Sequence, residues 1–325
     1  MKHGGDLTEA MARHGGAWQW LDLSTGINPW PWPITPVADD AWQRLPSRAD
    51  EAALLEAARA AYAVPAETSI VAAAGTQSLI QWLPYLAAPG AVAIVGPTYS
   101  EHAAAWRNAG REVIAIDQLC ELPREVRHAV IVNPNNPDGR IVDCAGLAAA
   151  AATLQARGGW LVIDEAFADV APAISAVALC ADLPIVILRS FGKFYGLGGL
   201  RLGFAVAAPA IADRISTAIG PWSCSGPAQR IGAAALRDQA WAEATRAALT
   251  QQAAKLDVIL HAAGLMLAGG TTLYRLTRHR DALRIHAALA RQQIWCRSFD
   301  WADDLLRFGL PPDDAARDRL AAALG

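Results

Sequence analysis

The sequence predicts an α/β protein with a mostly parallel seven-stranded sheet and a smaller α+β domain at its C-terminal end. Two observations support this prediction. Between residues 69 and 207, short and continuously apolar segments alternate with helical periodicity, which is typical of parallel strands that helices cover on both faces. After residue 209 the pattern changes to long helices followed by short strands. At 325 residues the chain is long enough to form two domains.

The individual elements follow from apolar runs and helical spacing. The predicted strands of the sheet are Ile70–Ala73, Val92–Val95, Val113–Ile116, Val130–Asn133, Leu161–Asp164, Ile185–Leu188 and Gly203–Ala207. Helices are predicted near 7–13, over 50–63, 79–86 and most of 227–263, with short strands near 273–276, 294–297 and 305–308 and a last helix from Pro312. We therefore divide the chain into an N-terminal arm (1–48), a large α/β domain (49–208) and a linker helix with a small α+β domain (209–325).

Composition argues against several classes of function. The net charge of −3 gives no electrostatic basis for binding nucleic acid or an anionic membrane. No apolar stretch has the length of a membrane span, and the N-terminus lacks the apolar core of a signal peptide. The five cysteines show no paired spacing, which favours a reducing compartment. We expect a cytoplasmic protein with no membrane or nucleic-acid partner.

One lysine lies in a glycine-rich segment directly after a predicted strand. Ser190 precedes Lys193 by three residues, and Arg201 follows it by eight. Apolar surroundings and a neighbouring cation keep a lysine amine partly neutral, as it must be to form an imine with an aldehyde. A hydroxyl and a guanidinium are suited to hold a phosphate. The segment indicates a site for pyridoxal 5'-phosphate, which carries both groups, although taken alone it also fits a glycine-rich loop with a solvated lysine.

Other polar residues follow neighbouring strands, where open α/β sheets bind their ligands. Gly75, Thr76 and Gln77 precede or begin a helix, so its free amides form an anion site, although a plain helix cap has the same pattern. Tyr99 offers a ring that stacks on a pyridine face, and a simple packing role explains it equally well. Asp164 ends a buried strand and needs a partner, for which a protonated pyridine nitrogen is suited.

Together these positions resemble the fold-type I pyridoxal-phosphate enzymes, the aspartate aminotransferase superfamily, over most of the chain. The resemblance implies that Asn136 contacts the pyridine 3-oxygen and that Arg307 binds a substrate carboxylate. It also implies a homodimer with catalytic roles for Lys193 and Asp164. The residues expected to bind the cofactor are Gly75, Thr76, Gln77, Tyr99, Asn136, Asp164, Ser190, Lys193 and Arg201.

Within the superfamily, the sequence is similar to the threonine-phosphate decarboxylases of cobalamin biosynthesis. The segments that carry this similarity are His3–Asp6, Pro97–His102, Asp164–Phe167, Phe191–Gly196 and Leu306–Pro311. The resemblance implies decarboxylation of a small phosphorylated amino acid, L-threonine O-3-phosphate, to (R)-1-amino-2-propanol O-2-phosphate and CO2. Further candidates for binding its anionic groups, with packing or surface roles as the alternative, are Arg297, His3, Ser24 and Asn28.

Two departures from the aminotransferase pattern affect the expected reaction. Phe167 stands where those enzymes usually carry a tyrosine that donates to the 3-oxygen, and a phenyl ring has no donor. Leu45-Pro46 replaces a Tyr-Pro pair that often reaches the cofactor phosphate of the neighbouring subunit. Two alternatives remain: a histidinol-phosphate-type aminotransferase, and a cofactor-binding regulatory module without turnover, whose usual helix-turn-helix domain has no room in the N-terminal arm.

Overall fold

The computed structural model describes residues 4–16 and 20–325. Its α-helices are α1 (Thr8–His14), α2 (Asp40–Gln43), α3 (Arg48–Ala61), α4 (Thr76–Leu86), α5 (Glu101–Asn108), α6 (Cys144–Ala156), α7 (Phe191–Phe194), α8 (Pro209–Ile219), α9 (Gly226–Arg237), α10 (Gln239–Ala262), α11 (Ala282–Arg291) and α12 (Asp314–Leu324). Its strands are β1 (Leu21–Asp22), β2 (Ser69–Ala73), β3 (Ala91–Val95), β4 (Val113–Ile116), β5 (Val126–Val132), β6 (Leu161–Asp164), β7 (Ile185–Ser190), β8 (Gly203–Ala207), β9 (Met266–Thr271), β10 (Tyr274–Arg278), β11 (Ile294–Trp295), β12 (Arg297–Phe299) and β13 (Ala302–Gly309). Among these described helices, none combines the length and apolar character needed to cross a membrane.

The central element is a seven-stranded sheet in the order β2-β8-β7-β6-β5-β3-β4. Strands β3 to β7 pair in parallel, whereas β8 runs antiparallel to both of its neighbours. Every predicted strand of the sheet is present, so the predicted fold class is confirmed. All residues of β3, β7 and β8 are buried, which explains why β3, β8 and the first four residues of β7 are apolar on both faces.

Helices pack against the sheet through apolar side chains. Leu79 and Leu83 of α4, Trp106 of α5 and Ile215 of α8 share one buried cluster with strand residues such as Val186. Burying each large aliphatic side chain contributes about 1.5–3 kcal/mol, before the loss of conformational entropy. The helices thus hold the strands together and fix the positions of the strand ends, from which the side chains of the candidate site project.

The described chain divides into two compact units. The larger unit comprises Trp32–Asn136 and Arg140–Ala242 and contains the seven-stranded sheet. The smaller unit comprises the described residues up to Pro31, together with Pro137–Gly139 and Glu243–Gly325. This division differs from the predicted segments, because α8 and α9 belong to the larger unit and the first part of the predicted arm belongs to the smaller one.

The smaller unit contains two sheets. Strands β12, β13, β10 and β9 form an antiparallel sheet in that order, and β1 pairs in parallel with β11. The single strand predicted near 294–297 is divided into β11 and β12, because the two parts pair with different strands, β1 and β13. The predicted helical region 227–263 is likewise divided at Asp238, whose carboxylate accepts a hydrogen bond from the amide of Trp241 at 3.0 Å. Strand β9 and helix α11 were not predicted.

Candidate active site

Lys193 lies in α7, the single helical turn that follows β7 in the larger unit. Its side chain is half-buried, and its Nζ lies 5.9 Å from the ring centroid of Phe167. Gly192 is required at this turn, because a Cβ there would lie 2.8 Å from the Cα of Gly198. The rings of Phe191 and Tyr195 stack with their centroids 4.4 Å apart and so fix the turn around the lysine.

Gly75 and Arg201, two of the predicted phosphate residues, lie side by side at the start of α4. Gly75 has a φ of +78°, a conformation that favours glycine, and a Cβ on it would lie 2.8 Å from Nη2 of Arg201. The Nη1 of Arg201 donates to the carbonyl of Gly198 at 3.0 Å. The first amides of α4, which begins at Thr76, have no carbonyl partner within the helix. Amides and a guanidinium in this arrangement suit a phosphate.

Asp164 ends β6 as a buried carboxylate with two fixed contacts. Its Oδ1 accepts a hydrogen bond from the amide of Ala166 at 3.0 Å, and its Oδ2 lies 2.9 Å from Nε2 of His102 in α5. Both side chains are almost fully buried. A role for His102 was not predicted, because it lies 62 residues from Asp164 and no local pattern joins the two. Held in this way, the Asp164 carboxylate is preorganised to accept a proton-bearing nitrogen.

Tyr99 follows β3 and is oriented by two polar neighbours. Its hydroxyl donates to Oε1 of Gln77 at 3.1 Å, and Nε2 of Gln77 donates to Oε2 of Glu101 at 3.0 Å. Burial raises the pKa of Tyr99 to about 12, and the carboxylates of Glu101 and Asp164 add to this rise. The hydroxyl therefore stays protonated at neutral pH. The Tyr99 ring stands edge-on to the ring of His102, with their centroids 6.1 Å apart.

The asparagine-rich turn after β5 is joined to the segment before Tyr99. Asn133 closes the turn by exchanging two hydrogen bonds with the backbone of Val142, at 2.9 and 3.1 Å. Asn135 accepts a 2.6 Å hydrogen bond from Thr98 Oγ1 and donates to the carbonyl of Pro97. Asn136 follows directly and is half-buried. Its contact with a pyridine 3-oxygen remains a prediction.

Glu165, for which no role was predicted, belongs to a buried ion-pair network. It accepts from Nη1 of Arg189 at 2.8 Å and from the hydroxyl of Ser175 at 2.6 Å, while Nη2 of Arg189 donates to Asp169 at 2.6 Å. Burial opposes the charge of Arg189, but Asp169 and Glu165 together raise its pKa above the ordinary value. This network stabilises the larger unit.

In the smaller unit, Arg307 and Arg297 lie directly opposite each other on β13 and β12. Arg307 is buried, donates from Nη2 to the carbonyl of Ser24 at 2.6 Å and lies 5.1 Å from the ring centroid of Tyr274. Burial lowers the pKa of Arg307 to about 10, and burial also lowers the pKa of Arg297. Because like charges in a cross-strand pair repel each other, an anion bound beside them is stabilising.

The other predicted substrate residues make contacts within the smaller unit. The hydroxyl of Ser24 donates to Oδ1 of Asp22 at 2.6 Å and accepts from the amide of Gly5 at 2.9 Å. The side-chain oxygen of Asn28 accepts from the amide of Trp30 at 3.0 Å. Both contacts shape the N-terminal arm, so roles for Ser24 and Asn28 in substrate binding remain predictions. His3 lies outside the described residues.

Comparison with known proteins places the chain in a family. Residues 45–324 match the family model for aminotransferase class I and II. A threonine-phosphate decarboxylase from Pseudomonas aeruginosa is 41% identical, with 100% of this chain and 97% of the relative aligned. One from Sinorhizobium sp. is 44% identical, with 99% and 97% aligned. The structure of a histidinol-phosphate aminotransferase from Sinorhizobium meliloti in complex with pyridoxal-5'-phosphate shares the fold, with a TM-score of 0.83, 20% identity and coverage of 98% of this chain and 93% of that one. The chain therefore belongs to the aminotransferase class I and II family.

Proposed function

We propose that this protein is a pyridoxal-phosphate-dependent decarboxylase that converts L-threonine O-3-phosphate into (R)-1-amino-2-propanol O-2-phosphate and CO2. The observation that carries the proposal is the similarity to the two threonine-phosphate decarboxylases, which extends over the full chain. Phe167 also supports it, because the phenyl ring beside Lys193 has no hydroxyl to donate to a 3-oxygen.

The residues of the larger unit fit the cofactor. The guanidinium of Arg201 lies against Gly75 at the start of α4, where free helix amides and a cation suit a phosphate. Asp164 provides a buried carboxylate for the ring nitrogen, and Lys193 provides an amine for the aldehyde. The complete set that would hold pyridoxal phosphate is Gly75, Thr76, Gln77, Ser190 and Arg201 around the phosphate, Tyr99 on the ring face, Asn136 at the 3-oxygen, Asp164 at the nitrogen and Lys193 at the aldehyde.

When bound, pyridoxal phosphate supplies an electron sink for the pair of electrons that remains on the substrate α-carbon after CO2 leaves. Asp164 keeps a proton on the ring nitrogen, because its buried charge is stabilised by a positive partner. His102 and the amide of Ala166 hold that carboxylate in one orientation. The electrostatic environment is thus set before the substrate binds, so it need not reorganise during the reaction.

Lys193 serves as the proton donor in this proposal. The bond between the α-carbon and the carboxylate breaks, CO2 leaves, and a proton from Nζ of Lys193 takes its place on the α-carbon. The half-buried position of Lys193 beside Phe167 limits competing proton delivery from water.

Substrate anions are bound by arginines of the smaller unit in this proposal. Arg307 binds the carboxylate, since burial has lowered its pKa and a negative partner restores the stability of its charge. Arg297 provides a second guanidinium, directly opposite it on the neighbouring strand. Contacts with the substrate phosphate are assigned to Arg297, His3, Ser24 and Asn28.

We infer further that the protein works in the cytoplasm as a homodimer and contributes to cobalamin biosynthesis. All five cysteines are free, as the reducing cytoplasm favours. The larger unit exposes Trp42, Leu45 and Trp222, each more than half accessible, and large exposed apolar side chains are typical of an interface. Sedimentation of the cofactor-loaded protein tests the dimer: a single species with the mass of one chain would contradict it.

The test of the proposed function measures both products. We expect the cofactor-loaded protein to release CO2 from L-threonine O-3-phosphate in equimolar amount with aminopropanol phosphate, detected by mass spectrometry. A parallel reaction with histidinol phosphate and 2-oxoglutarate tests the alternative. Transamination without release of CO2 would overturn the decarboxylase and favour a histidinol-phosphate-type aminotransferase. Lys193→Ala is the control that measures any CO2 released independently of the candidate active site.

A further inference from the structure

Glu101 ends a chain of two hydrogen bonds that begins at the Tyr99 hydroxyl. The hydroxyl donates to Oε1 of Gln77 at 3.1 Å, and Nε2 of Gln77 donates to Oε2 of Glu101 at 3.0 Å. Glu101 is the first residue of α5, and the next residue, His102, contacts Asp164. The first turn of α5 therefore supports two side chains of the candidate site. These are Tyr99, which follows β3, and Asp164, which is the last residue of β6.

Glu101 determines which group donates and which accepts in these two hydrogen bonds. An ionised carboxylate can only accept, so the Gln77 amide must turn its NH2 group towards Glu101 and its oxygen towards Tyr99. The Tyr99 hydroxyl then has one role available at that contact, which is to donate. Without the carboxylate, the Gln77 amide is free to turn over and present NH2 to Tyr99, which removes the acceptor for the tyrosine hydroxyl.

We propose that Glu101 is a positioning residue for the cofactor site, acting through Gln77 to fix the Tyr99 hydroxyl and thereby the position of the Tyr99 ring. The inference rests on the proposed function, because that ring is assigned to the face of pyridoxal phosphate. A tyrosine held at its hydroxyl loses little rotational freedom when a flat ligand binds, so the ligand binds more tightly and in one orientation.

A simpler explanation of Glu101 is that a carboxylate in the first turn of a helix stabilises the helix through the macrodipole. This explanation predicts an effect on stability that depends only on charge. Positioning predicts an effect on cofactor binding that depends on the reach of the side chain and on the presence of the Tyr99 hydroxyl. The two explanations therefore differ in what Glu101→Asp, Glu101→Gln and Tyr99→Phe do.

The experiment titrates each apoprotein with pyridoxal phosphate, following tryptophan fluorescence for the Kd and visible circular dichroism for the orientation of the bound chromophore. Glu101→Ala should weaken binding about tenfold, as expected for losing one hydrogen bond to a charged group. Glu101→Asp keeps the charge but is one methylene too short, so it should also weaken binding and reduce the dichroism. Glu101→Gln still offers an oxygen to Gln77 but can also donate, so it should weaken binding less than Glu101→Ala does. Glu51→Ala, an exposed first-turn carboxylate of α3, is the control.

A double-mutant cycle shows whether the effect passes through Tyr99. Tyr99→Phe alone should weaken binding by a factor similar to Glu101→Ala, and combining the two should weaken it no further. Additive losses, a Glu101→Asp variant that binds normally, or a Glu101→Gln variant as weak as Glu101→Ala would each overturn the inference. If the unmodified protein fails to bind pyridoxal phosphate, the proposed function fails instead, so the two failures are distinguishable.

Discussion

Two buried arginines, one in each unit, differ in how their charge is balanced. Arg189 of the larger unit is 3% exposed and pairs with Glu165 and Asp169, and although burial opposes its charge, these acids raise its pKa. Arg307 of the smaller unit is 7% exposed and donates to the carbonyl of Ser24, and burial lowers its pKa to about 10.

The difference separates an arginine that stabilises the fold from one suited to bind a ligand. A buried charge that the protein neutralises itself has little to gain from an anionic ligand. An arginine whose pKa is lowered by burial gains more stabilisation of its charge from an anionic ligand. The guanidinium of Arg297, opposite Arg307 on the neighbouring strand, increases this gain. The predictions below test this distinction between an arginine whose pKa is raised by buried acids and one whose pKa is lowered by burial.

The largest expected effect concerns Lys193. We assign this residue to the chemical reaction itself, unlike the two arginines, which are compared by how their charges are stabilised. Lys193→Ala should lower kcat at least about 10³-fold and abolish the visible absorbance of the bound cofactor, because both the amine at the aldehyde and the proton donor are lost. Stopped-assay CO2 release and an absorbance spectrum measure these effects. Retained turnover would remove Lys193 from its assigned role.

The second prediction compares the two arginines directly. Arg189→Gln leaves Glu165 and Asp169 buried without their cation and should lower the free energy of unfolding by about 3–5 kcal/mol. Arg307→Gln removes a charge that burial disfavours, but also the hydrogen bond to the Ser24 carbonyl, and should lower that free energy by only about 1–2 kcal/mol. Urea unfolding of the apoproteins measures both values. Equal losses would contradict the distinction.

For catalytic activity we expect the opposite order, with Arg307→Gln causing a larger loss than Arg189→Gln. Arg307→Gln should lower kcat/KM for L-threonine O-3-phosphate by about 10–100-fold, since a charged hydrogen bond to the substrate is lost. Arg278→Gln on the adjacent strand β10 is the matched control, because Arg278 is exposed and pairs with Asp304 at 2.9 Å. An equal loss in Arg278→Gln would mean that the effect reflects general surface charge.

The fold was predictable where each strand has an apolar sequence of its own. Strands buried on both faces carry continuous apolar runs, so the seven-stranded sheet was located from local composition alone. Strand β9 was not, because Met266 and Leu267 are exposed and two glycines, Gly269 and Gly270, follow. Its structure depends on pairing with β10, and no local pattern encodes that pairing.

The candidate site shows the same limit. Lys193 and Asp164 were predicted because each follows a strand of the sheet, and strand ends collect ligand-binding residues. The contacts of Asp164 with His102 and of Gln77 with Glu101 were not predicted, because they depend on the direction in which α5 leaves the sheet. Side chains that orient other side chains are joined by tertiary packing and leave no spacing in the sequence.

A further prediction concerns Asp164, whose negative charge we propose is balanced by the protonated ring nitrogen of the cofactor. Asp164→Asn keeps the size of the side chain but removes the charge that holds a proton on the ring nitrogen, and it should lower kcat by about 10²–10³-fold. Cofactor affinity should fall much less, because the residues that we assign to the cofactor phosphate, Gly75 and Arg201, are unchanged. Single-turnover CO2 release measures the rate, and a near-normal rate would exclude Asp164 from the mechanism.

His128 is a third buried basic residue. Unlike Arg189 and Arg307, it is kept neutral by its surroundings. Its Nε2 contacts the carbonyl of Ala88 at 2.9 Å, and its Nδ1 accepts from the amide of Trp160 at 3.1 Å, so a proton on Nδ1 would break the second contact. Burial lowers the pKa of His128 to about 4, from an ordinary 6.5. The neutral ring is thus favoured in the folded state.

The sign of the resulting pH dependence follows from the lowered pKa. The contribution of His128 to stability is fully present above pH 6.5 and is lost as the pH falls towards 4. Between pH 7 and pH 5, the free energy of unfolding should fall by about 2 kcal/mol more in the unmodified protein than in His128→Gln, whose side chain does not titrate. Urea unfolding at the two pH values measures this difference. Equal pH dependence in the two proteins would mean that His128 titrates normally, and that burial in the larger unit does not keep this base neutral.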